Sequence, residues 1–333
     1  MTGKTLVLSR SDVARFLPLR ALASAIGDAY IRHSTGTPDA TLVPRPQRAH
    51  TQLGDGQSVA VNFPGVLSGY DAYTVKVNAK TAANPAAGLP LVRGAILLIE
   101  RDSGALRAIV DSSLVTAMRT AAAGALGVTA LARPGASTIA LFGAGVQGTW
   151  HLGALSAIGR LGEARIFDLE RARAEQLAAE LEKSLGVAAR AATSPRDAVE
   201  GADVIILVTP SRVPVLDETL VEPGMHVSAF GADEPGKVEL ATSLCRRAKL
   251  VVDDRALALT DGVINVAASS GELDAAAIHA ELGEVLAGRK PGRERDDEIT
   301  IFGAVGLAWQ DLVAAELCYR QAVEGNGGSW VDL

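Results

Sequence analysis

The sequence predicts an α/β protein in which a doubly wound parallel sheet is joined to a second, mostly antiparallel α+β domain. Three observations lead to this prediction. The chain has 333 residues, more than a single core usually holds. Segments 59–63, 73–79, 93–100 and 106–111 alternate or run apolar, separated by Gly and Pro clusters, as antiparallel strands do. From Ser137 onward strand-like and helix-like segments alternate, which is typical of a parallel sheet.

The first part of the chain contains the elements of the antiparallel domain. A short strand is predicted at 5–8, and Ser11-Asp12 can cap a helix whose apolar positions continue to Ile26. A long Ala-rich helix, capped by Asp111 or Ser112, runs from the last of the four strands to Leu131. This helix would carry the chain from one domain into the next.

The second part alternates strands with helices. The predicted strands are 138–142, 164–168, 187–191, 204–209, 226–230, 250–254 and 299–302. The predicted helices are 147–158, 171–185, 195–200 and 239–247, with a final helix over 304–325 that can return to the first domain.

A glycine-rich turn follows the first of these strands. Gly143 allows the tight turn, Gly145 lets the backbone approach a pyrophosphate, and Gly148 lets the helix pack on the strand. Asp168 closes the next apolar run, where a carboxylate can bind the adenosine ribose. The pattern predicts a Rossmann dinucleotide-binding unit. The alternative is a glycine turn in an α/β domain that binds no nucleotide.

Other polar residues follow predicted parallel strands at their carboxyl ends, where ligands bind in such sheets. Thr209 ends one strand and is either a cofactor contact or a polar strand terminus. Asp233 or Glu234, in Gly231–Lys237, could act as a general acid or base. The alternative is a turn, which also requires Asp, Pro and Gly.

Basic residues of the first domain are candidates for binding a carboxylate. Arg45 lies between two prolines, and Arg119 interrupts an Ala-rich helix. Lys76 and Lys80 share one strand face with Thr74 and Asn78, so spacing does not choose between them. Periodicity alone predicts that this face is solvated.

Composition argues against several other functions. The formal charge of −6 and the lack of a long basic block argue against a nucleic acid partner. Two isolated cysteines and five histidines without ligand spacing predict neither a disulfide framework nor a metal site. No secretory signal is evident, and no apolar stretch approaches the roughly 18 residues that span a bilayer. We therefore expect a cytoplasmic protein with no membrane partner.

Together these motifs resemble the ornithine cyclodeaminase and mu-crystallin family. The resemblance covers nearly the whole chain, and the order and spacing of the motifs make it specific. The residues and segments that carry it are Arg45, Lys76, Asn84-Pro85 with Gly88-Leu89-Pro90, 116–122, Gly143 to Gly148, Gly231 to Lys237, 281–285, Ile301-Phe302 with Gly306, and Gln310-Asp311.

The resemblance implies a division of the chain. Residues 1–122, completed by the helix 305–333, would form a substrate-binding and dimerisation domain. Residues 123–304 would form a Rossmann domain that binds NAD, and the protein would be a homodimer. The Asp168 carboxylate would repel the 2′-phosphate of NADP, although Arg171 and Arg173 could bind it.

The resemblance also implies a role for each site residue. Asp233 would be the acid/base, Arg45, Lys76 and Arg119 would bind a substrate carboxylate, and Lys76 rather than Lys80 would also be counted as catalytic. Lys237 would be a further cofactor contact and Val305 a further substrate contact. The remaining cofactor contacts would be Gly143, Gly145, Val146, Gln147, Gly148, Asp168 and Thr209.

The implied reaction acts on the Cα–N bond of a small amino acid. In its cyclodeaminase form a hydride passes from Cα of ornithine or a similar diamino acid to NAD. The side-chain amine then attacks, ammonia leaves, and the hydride returns to give proline or a homologue. The net-redox alternatives are a ketimine or pyrroline-2-carboxylate reductase and an alanine dehydrogenase. A noncatalytic, mu-crystallin-like ligand-binding protein is the alternative from another class.

Three departures from the family pattern leave the substrate open. Leu91 stands where Thr is frequent, and Ala304 stands where Ser is frequent. Asn62-Phe63-Pro64 lacks the Met-Glu pattern of ornithine cyclodeaminases.

Overall fold

A computed structural model describes residues 3–36, 48–54 and 58–333 of the chain. The chain divides into two compact units. Unit 1 comprises Met1–Arg119 and Leu307–Leu333, and unit 2 comprises Thr120–Gly306. The first boundary falls within a single long helix.

The described strands are β1 (Lys4–Leu8), β2 (Ala49–Gln52), β3 (Val59–Gly65), β4 (Ala72–Lys80), β5 (Val92–Glu100), β6 (Leu106–Asp111), β7 (Thr138–Phe142), β8 (Glu163–Phe167), β9 (Ala188–Ala191), β10 (Val204–Leu207), β11 (His226–Ala229), β12 (Lys249–Val252), β13 (Ile278–Glu281), β14 (Thr300–Gly303) and β15 (Ser329–Asp332). The described α-helices are α1 (Arg10–Phe16), α2 (Leu19–Thr35), α3 (Ser112–Leu131), α4 (Val146–Ala157), α5 (Arg171–Leu185), α6 (Pro195–Val199), α7 (Thr242–Arg247), α8 (Arg255–Thr260), α9 (Asn265–Ser269), α10 (Leu282–Leu286) and α11 (Ala308–Glu324). Short 3-10 turns lie at Pro85–Ala87 and Ala275–Ala277.

Unit 1 contains a seven-stranded sheet in the order β15-β1-β6-β5-β4-β3-β2. Strands β1 and β6 pair in parallel, and the other neighbours pair antiparallel. The mostly antiparallel sheet predicted for this part of the chain is confirmed. Strands β2 and β15, which extend it at its two edges, were not predicted.

The first helical segment differs from the prediction. Ser9, not Ser11-Asp12, caps α1: the Ser9 hydroxyl accepts the Asp12 N–H, and the Asp12 carboxylate accepts the Ser9 N–H at 2.9 Å. The predicted single helix is also two helices, because Pro18 lies between α1 and α2. Proline has no N–H to continue the first helix, but its fixed φ suits the residue before the second.

The face of β4 that carries Thr74, Lys76 and Asn78 is buried, so the expectation of a solvated face is wrong. Helix α11 packs on β3, β4 and β5 and covers this face. The helix lies more than 200 residues further along the sequence. Local periodicity therefore could not reveal it.

Helix α3 corrects a second expectation. Its 20 residues include a window with a mean hydropathy of 1.4, long and apolar enough to cross a membrane by length and composition. The prediction that no apolar stretch approaches this length is therefore wrong. Because 72% of that window is buried within the protein, packing in a core accounts for its apolar character.

Unit 2 contains an eight-stranded sheet in the order β13-β12-β14-β11-β10-β7-β8-β9. Every neighbouring pair in it is parallel. The predicted doubly wound parallel sheet is confirmed. The strand order reverses between β7 and β10, and the crevice at such a reversal is where sheets of this kind bind ligands.

In unit 2, β13, α8, α9 and α10 were not predicted, and the other differences concern where elements begin and end. Strand β10 ends at Leu207, and the helix predicted from residue 239 begins at Thr242. The final helix, predicted from residue 304, begins at Ala308 in unit 1. Thr209, Glu239 and Val305, which were predicted in a strand or a helix, therefore lie in loops.

Candidate functional site

The glycine-rich turn connects β7 to α4. Gly143 has a φ of +103°, a left-handed conformation that favours glycine. A Cβ on Gly148 would overlap the carbonyl oxygen of Gly143, so the start of α4 needs a glycine there. Gly145, the N-cap of α4, faces open space, and no side chain caps the first turn of the helix. This leaves room for a phosphate beside the free N–H groups of Val146 and Gln147.

Asp168 follows β8 and lies against the glycine-rich turn. Its Oδ2 atom accepts the Ala144 N–H at 2.8 Å, and its Oδ1 atom accepts the Glu170 N–H at 2.9 Å. Both carboxylate oxygens are thus held by backbone amides. The structure therefore brings together the glycines and the acidic residue that the sequence singles out.

Thr209 follows β10 and is held by a residue that the sequence analysis did not single out. Its N–H and its hydroxyl both donate to Glu239 Oε1 at 2.7 Å. Glu239 Oε2 accepts the Gly231 N–H at 2.7 Å. Burial raises the pKa of Glu239 to about 7.

The loop Gly231–Lys237 follows β11 and carries Asp233. Lys237 Nζ lies 2.6 Å from Asp233 Oδ1 and 3.6 Å from Glu234 Oε1. The Asp233 side chain is 45% exposed, whereas that of Lys237 is 10% exposed. Asp233 is therefore a solvent-accessible carboxylate in contact with a largely buried cation.

The end of β14 is held by a second buried carboxylate that was not predicted. Asp253 Oδ2 accepts the N–H groups of Val305 at 2.9 Å and Gly306 at 2.7 Å. Burial raises the pKa of Asp253 to about 6. No motif in the sequence distinguished Asp253 or Glu239 from the other carboxylates: Asp253 lay within the predicted strand 250–254, and Glu239 began the predicted helix 239–247.

In unit 1, Lys76 and Arg119 converge on Asp311. Lys76 Nζ lies 2.7 Å from Asp311 Oδ2, and Arg119 Nε lies 3.4 Å from Asp311 Oδ1. All three side chains are at most 6% exposed. Arg119 also donates to Gln310 Oε1 at 2.8 Å, and Gln310 Nε2 donates to the Tyr30 hydroxyl at 2.7 Å. Two cations and one carboxylate leave an excess positive charge in a buried place.

The buried position of Lys76 changes its acidity. Burial lowers the pKa of Lys76 to about 8, although the Asp311 carboxylate opposes the shift. Near neutral pH the ammonium group is therefore charged but costly to keep desolvated. An incoming anion would lower that cost.

Arg48 is a further cation near Lys76 that the sequence analysis did not name. The Arg48 guanidinium carbon lies 4.5 Å from the centre of the Phe63 ring, and Lys76 Nζ lies 5.3 Å from the same centre. Phe63 and Lys76 are direct partners across β3 and β4. The positive charge of Arg48 contributes to the lowered pKa of Lys76. Arg45, the predicted residue of this segment, lies outside the described residues.

The whole chain was also compared with known proteins. The family model described as the ornithine cyclodeaminase/mu-crystallin family matches residues 3–326. The chain belongs to this family. The resemblance inferred from the motifs is therefore confirmed.

One relative and two solved structures are similar to nearly the whole chain. Alanine dehydrogenase of Archaeoglobus fulgidus is 35% identical over 326 residues, 98% of each chain. The structure of an archaeal alanine dehydrogenase dimer with bound NAD shares 32% identity, with a TM-score of 0.89 over 98% of this chain and 99% of that one. The structure of Thermococcus litoralis Δ1-pyrroline-2-carboxylate reductase with NADH and L-proline shares 32% identity, with a TM-score of 0.90 over the same shares of each chain.

Proposed function

We propose that this protein is an NAD-dependent oxidoreductase that interconverts a small α-amino acid and the corresponding imine. The observation that carries the proposal is the buried cluster of Lys76, Arg119 and Asp311, whose excess positive charge suits a substrate carboxylate. The likeness to alanine dehydrogenase and pyrroline-2-carboxylate reductase over nearly the whole chain supports the same reaction class.

The residues of unit 2 fit a nicotinamide dinucleotide. Gly143, Gly145 and Gly148 with Val146 and Gln147 would bind the pyrophosphate, and Asp168 the adenosine ribose. Thr209 would lie on the adenosine side, and Lys237 would be a further contact. When bound, NAD supplies the hydride acceptor and NADH the hydride donor. We propose NAD rather than NADP, since the Asp168 carboxylate would repel a 2′-phosphate.

The residues of unit 1 would bind and orient the substrate. Lys76 and Arg119 would hold its carboxylate, and we add Arg48 to this group because it shares the Phe63 ring with Lys76. Arg45 stays a prediction of the same kind. Fixing the carboxylate fixes Cα, and orientation of the reacting carbon is a large part of catalysis in hydride transfer.

Asp233 would move the proton. In oxidation it would take a proton from the substrate ammonium so that the free amine can release a hydride from Cα. In reduction it would return that proton to the nitrogen. Lys237 Nζ, 2.6 Å from Asp233 Oδ1, would hold the carboxylate in place for this transfer. Val305 is proposed as an additional substrate contact.

Net redox is placed ahead of redox-neutral cyclisation for a chemical reason. A diamino acid carries a second ammonium group, which calls for an anionic or polar partner. Asp311, the carboxylate in contact with Lys76 and Arg119, is already engaged by both cations. Cyclodeamination of ornithine to proline is kept as the second candidate because the family itself includes ornithine cyclodeaminases.

A substrate screen tests the proposal. The purified protein is assayed at the NADH absorbance band with alanine, proline, ornithine and lysine plus NAD, and with Δ1-pyrroline-2-carboxylate or pyruvate and ammonia plus NADH. NADP(H) is tested in parallel. We expect a net change in NADH with an amino acid or its imine.

Two outcomes would contradict the proposal. Proline and ammonia formed from ornithine with no net change in NADH would establish the cyclodeaminase reaction. Binding of NADH without turnover of any amino or imino acid would favour a noncatalytic binding protein.

We also propose a homodimer in the cytoplasm. The dimeric alanine dehydrogenase that aligns with almost the whole chain supports the assembly, and an amino-acid substrate with a nicotinamide cofactor suits the compartment. Light scattering coupled to size exclusion should give twice the chain mass of 34.4 kDa. A single-chain mass at micromolar concentration would refute the dimer.

A further inference from the structure

Glu239 lies in the interior of unit 2 and joins two loops. It is 1% exposed. One carboxylate oxygen accepts two hydrogen bonds from Thr209, and the other accepts the Gly231 N–H, all at 2.7 Å. Thr209 follows β10 and Gly231 follows β11, which are neighbours in the sheet. One buried side chain therefore connects the carboxyl ends of two adjacent strands.

The contact between Gly231 and Glu239 requires a residue without a side chain at position 231. A Cβ on Gly231 would overlap both the Thr209 carbonyl oxygen and the Glu239 carboxylate. The two loops therefore approach as closely as they do because residue 231 has no side chain.

The far end of the same loop is held by Asn265. Its Nδ2 atom donates to the Lys237 carbonyl oxygen at 2.8 Å, and its Oδ1 atom accepts the Gly236 N–H at 3.0 Å. Asn265 is also buried. Asp233 thus lies on a loop anchored at both ends by buried polar side chains, and Glu239 is the anchor that also holds Thr209.

We infer that Glu239 is a positioning residue for the proposed reaction, fixing the loop that carries Asp233 and the cofactor-side residue Thr209 in one arrangement. The inference rests on the proposed function for its effect on turnover. Its effect on cofactor affinity does not require turnover.

The hydrogen-bond pattern explains why a glutamate is needed. The two backbone N–H groups of Thr209 and Gly231 point at different oxygens of one carboxylate. Glutamine has the same shape but offers one oxygen and one NH₂ group, so one N–H would face another donor. A buried donor left without an acceptor disturbs the loop to which it belongs.

The test compares Glu239→Gln and Glu239→Asp with Glu182→Gln, a control at an exposed position of α5. NADH dissociation constants, kcat, KM and thermal midpoints are measured for each folded variant. For Glu239→Gln we expect at least a tenfold fall in kcat and a several-fold rise in the NADH dissociation constant. Glu239→Asp should lie between this variant and the parent, and Glu182→Gln within twofold of the parent.

Two results would overturn the inference. One is a folded Glu239→Gln protein with kcat and NADH affinity within twofold of the parent, even if its thermal midpoint falls, because a merely structural role predicts that pattern. The other comes from amide hydrogen exchange of the parent. The N–H groups of Thr209 and Gly231 should be strongly protected, and exchange at the rate of an open loop would show that Glu239 does not hold them.

The readouts separate this inference from the proposed function. A parent protein without turnover on any amino or imino acid would refute the proposed function. A weakened NADH affinity in Glu239→Gln would still support the positioning of Thr209 in that case.

Discussion

Asp311 partly neutralises the charges of Lys76 and Arg119, because both cations contact its carboxylate. Burying two cations with a single anion is unfavourable by itself. A substrate carboxylate would complete the neutralisation. The same charges therefore serve substrate binding at the expense of stability, which is common at functional sites.

Replacement of Lys76 tests this balance. We expect Lys76→Met to lower kcat/KM by roughly 100-fold or more, mainly by raising KM. The reason is that the substrate carboxylate would lose a charged hydrogen bond worth about 3 kcal/mol. Lys80→Met, on the same strand, is the matched control and should stay within twofold. Equal effects of the two variants would remove Lys76 from the substrate site.

The pKa of Lys76 predicts a pH dependence of KM. With a pKa of about 8, the Lys76 side chain is a charged ammonium below pH 8 and becomes a neutral amine as the pH rises above 8. KM for the carboxylate substrate should therefore rise above pH 8, by about tenfold per pH unit. In Lys76→Arg the guanidinium stays charged, so this rise should disappear. An identical pH profile in both proteins would speak against titration of Lys76.

Asp233 and Glu234 provide the next comparison. We expect Asp233→Asn to lower kcat by roughly 10² to 10⁴ with a smaller change in KM, as for loss of a general acid–base group. Glu234→Gln, one residue away and paired with Arg212, should keep kcat within twofold. Unchanged turnover in Asp233→Asn would exclude Asp233 from proton transfer.

Site residues that belong to local motifs could be predicted from the sequence, whereas residues that contact the site from distant parts of the chain could not. The glycines and Asp168 follow a local pattern in which each spacing has a chemical reason. Glu239 and Asp253 accept backbone N–H groups of loops that follow other strands, and the sheet order decides which loops are near. Arg48 becomes visible only once β3 and β4 pair and place Phe63 beside Lys76.

At the scale of elements, helix α4 contains two glycines in opposite situations. Gly148 is closed in by the Gly143 carbonyl oxygen and the Leu141 side chain, whereas a Cβ on Gly153 would meet nothing within 4 Å. The first is required by packing at the start of the helix. The second only weakens the helix.

Alanine substitutions should separate the two. Gly148→Ala should lower NADH affinity at least tenfold and reduce the thermal midpoint, since either the turn or the helix must shift. Gly153→Ala should leave affinity unchanged and add up to about 1 kcal/mol of stability. The measurements are NADH titration and thermal unfolding, and equal affinities in both variants would show that the turn does not bind the cofactor.

Elements with a clear local pattern were predicted, whereas β2, β13 and β15 were not. Strands β3 to β6 and the parallel strands β7, β8 and β10 carry alternating or continuous apolar runs. Strand β2 is four residues long and exposed throughout, so no period distinguishes it. The buried face of β4 was mistaken for a solvated one because its cover, α11, is remote in sequence.

At the scale of the whole molecule, binding of the cofactor should stabilise the fold. NADH at 100 times its dissociation constant should add about 2.7 kcal/mol to the free energy of unfolding. The same concentration of NADPH should raise the thermal midpoint less, because of Asp168. In Asp168→Ser the difference between the two cofactors should shrink. A larger shift with NADPH than with NADH in the parent would reverse the proposed preference.

The order of the two units along the chain has a consequence for biosynthesis. Unit 2 is one continuous segment, whereas unit 1 is completed by residues that follow it, including α11 and β15. Strand β15 pairs with β1, with Lys4 opposite Asp332. On the ribosome, the sheet of unit 1 must therefore wait, with the β4 face uncovered, until α11 has been translated. Unit 2 can fold during that delay, whereas slow translation would prolong the exposure of the nascent β3 to β6 segment, and chaperone binding there would protect it.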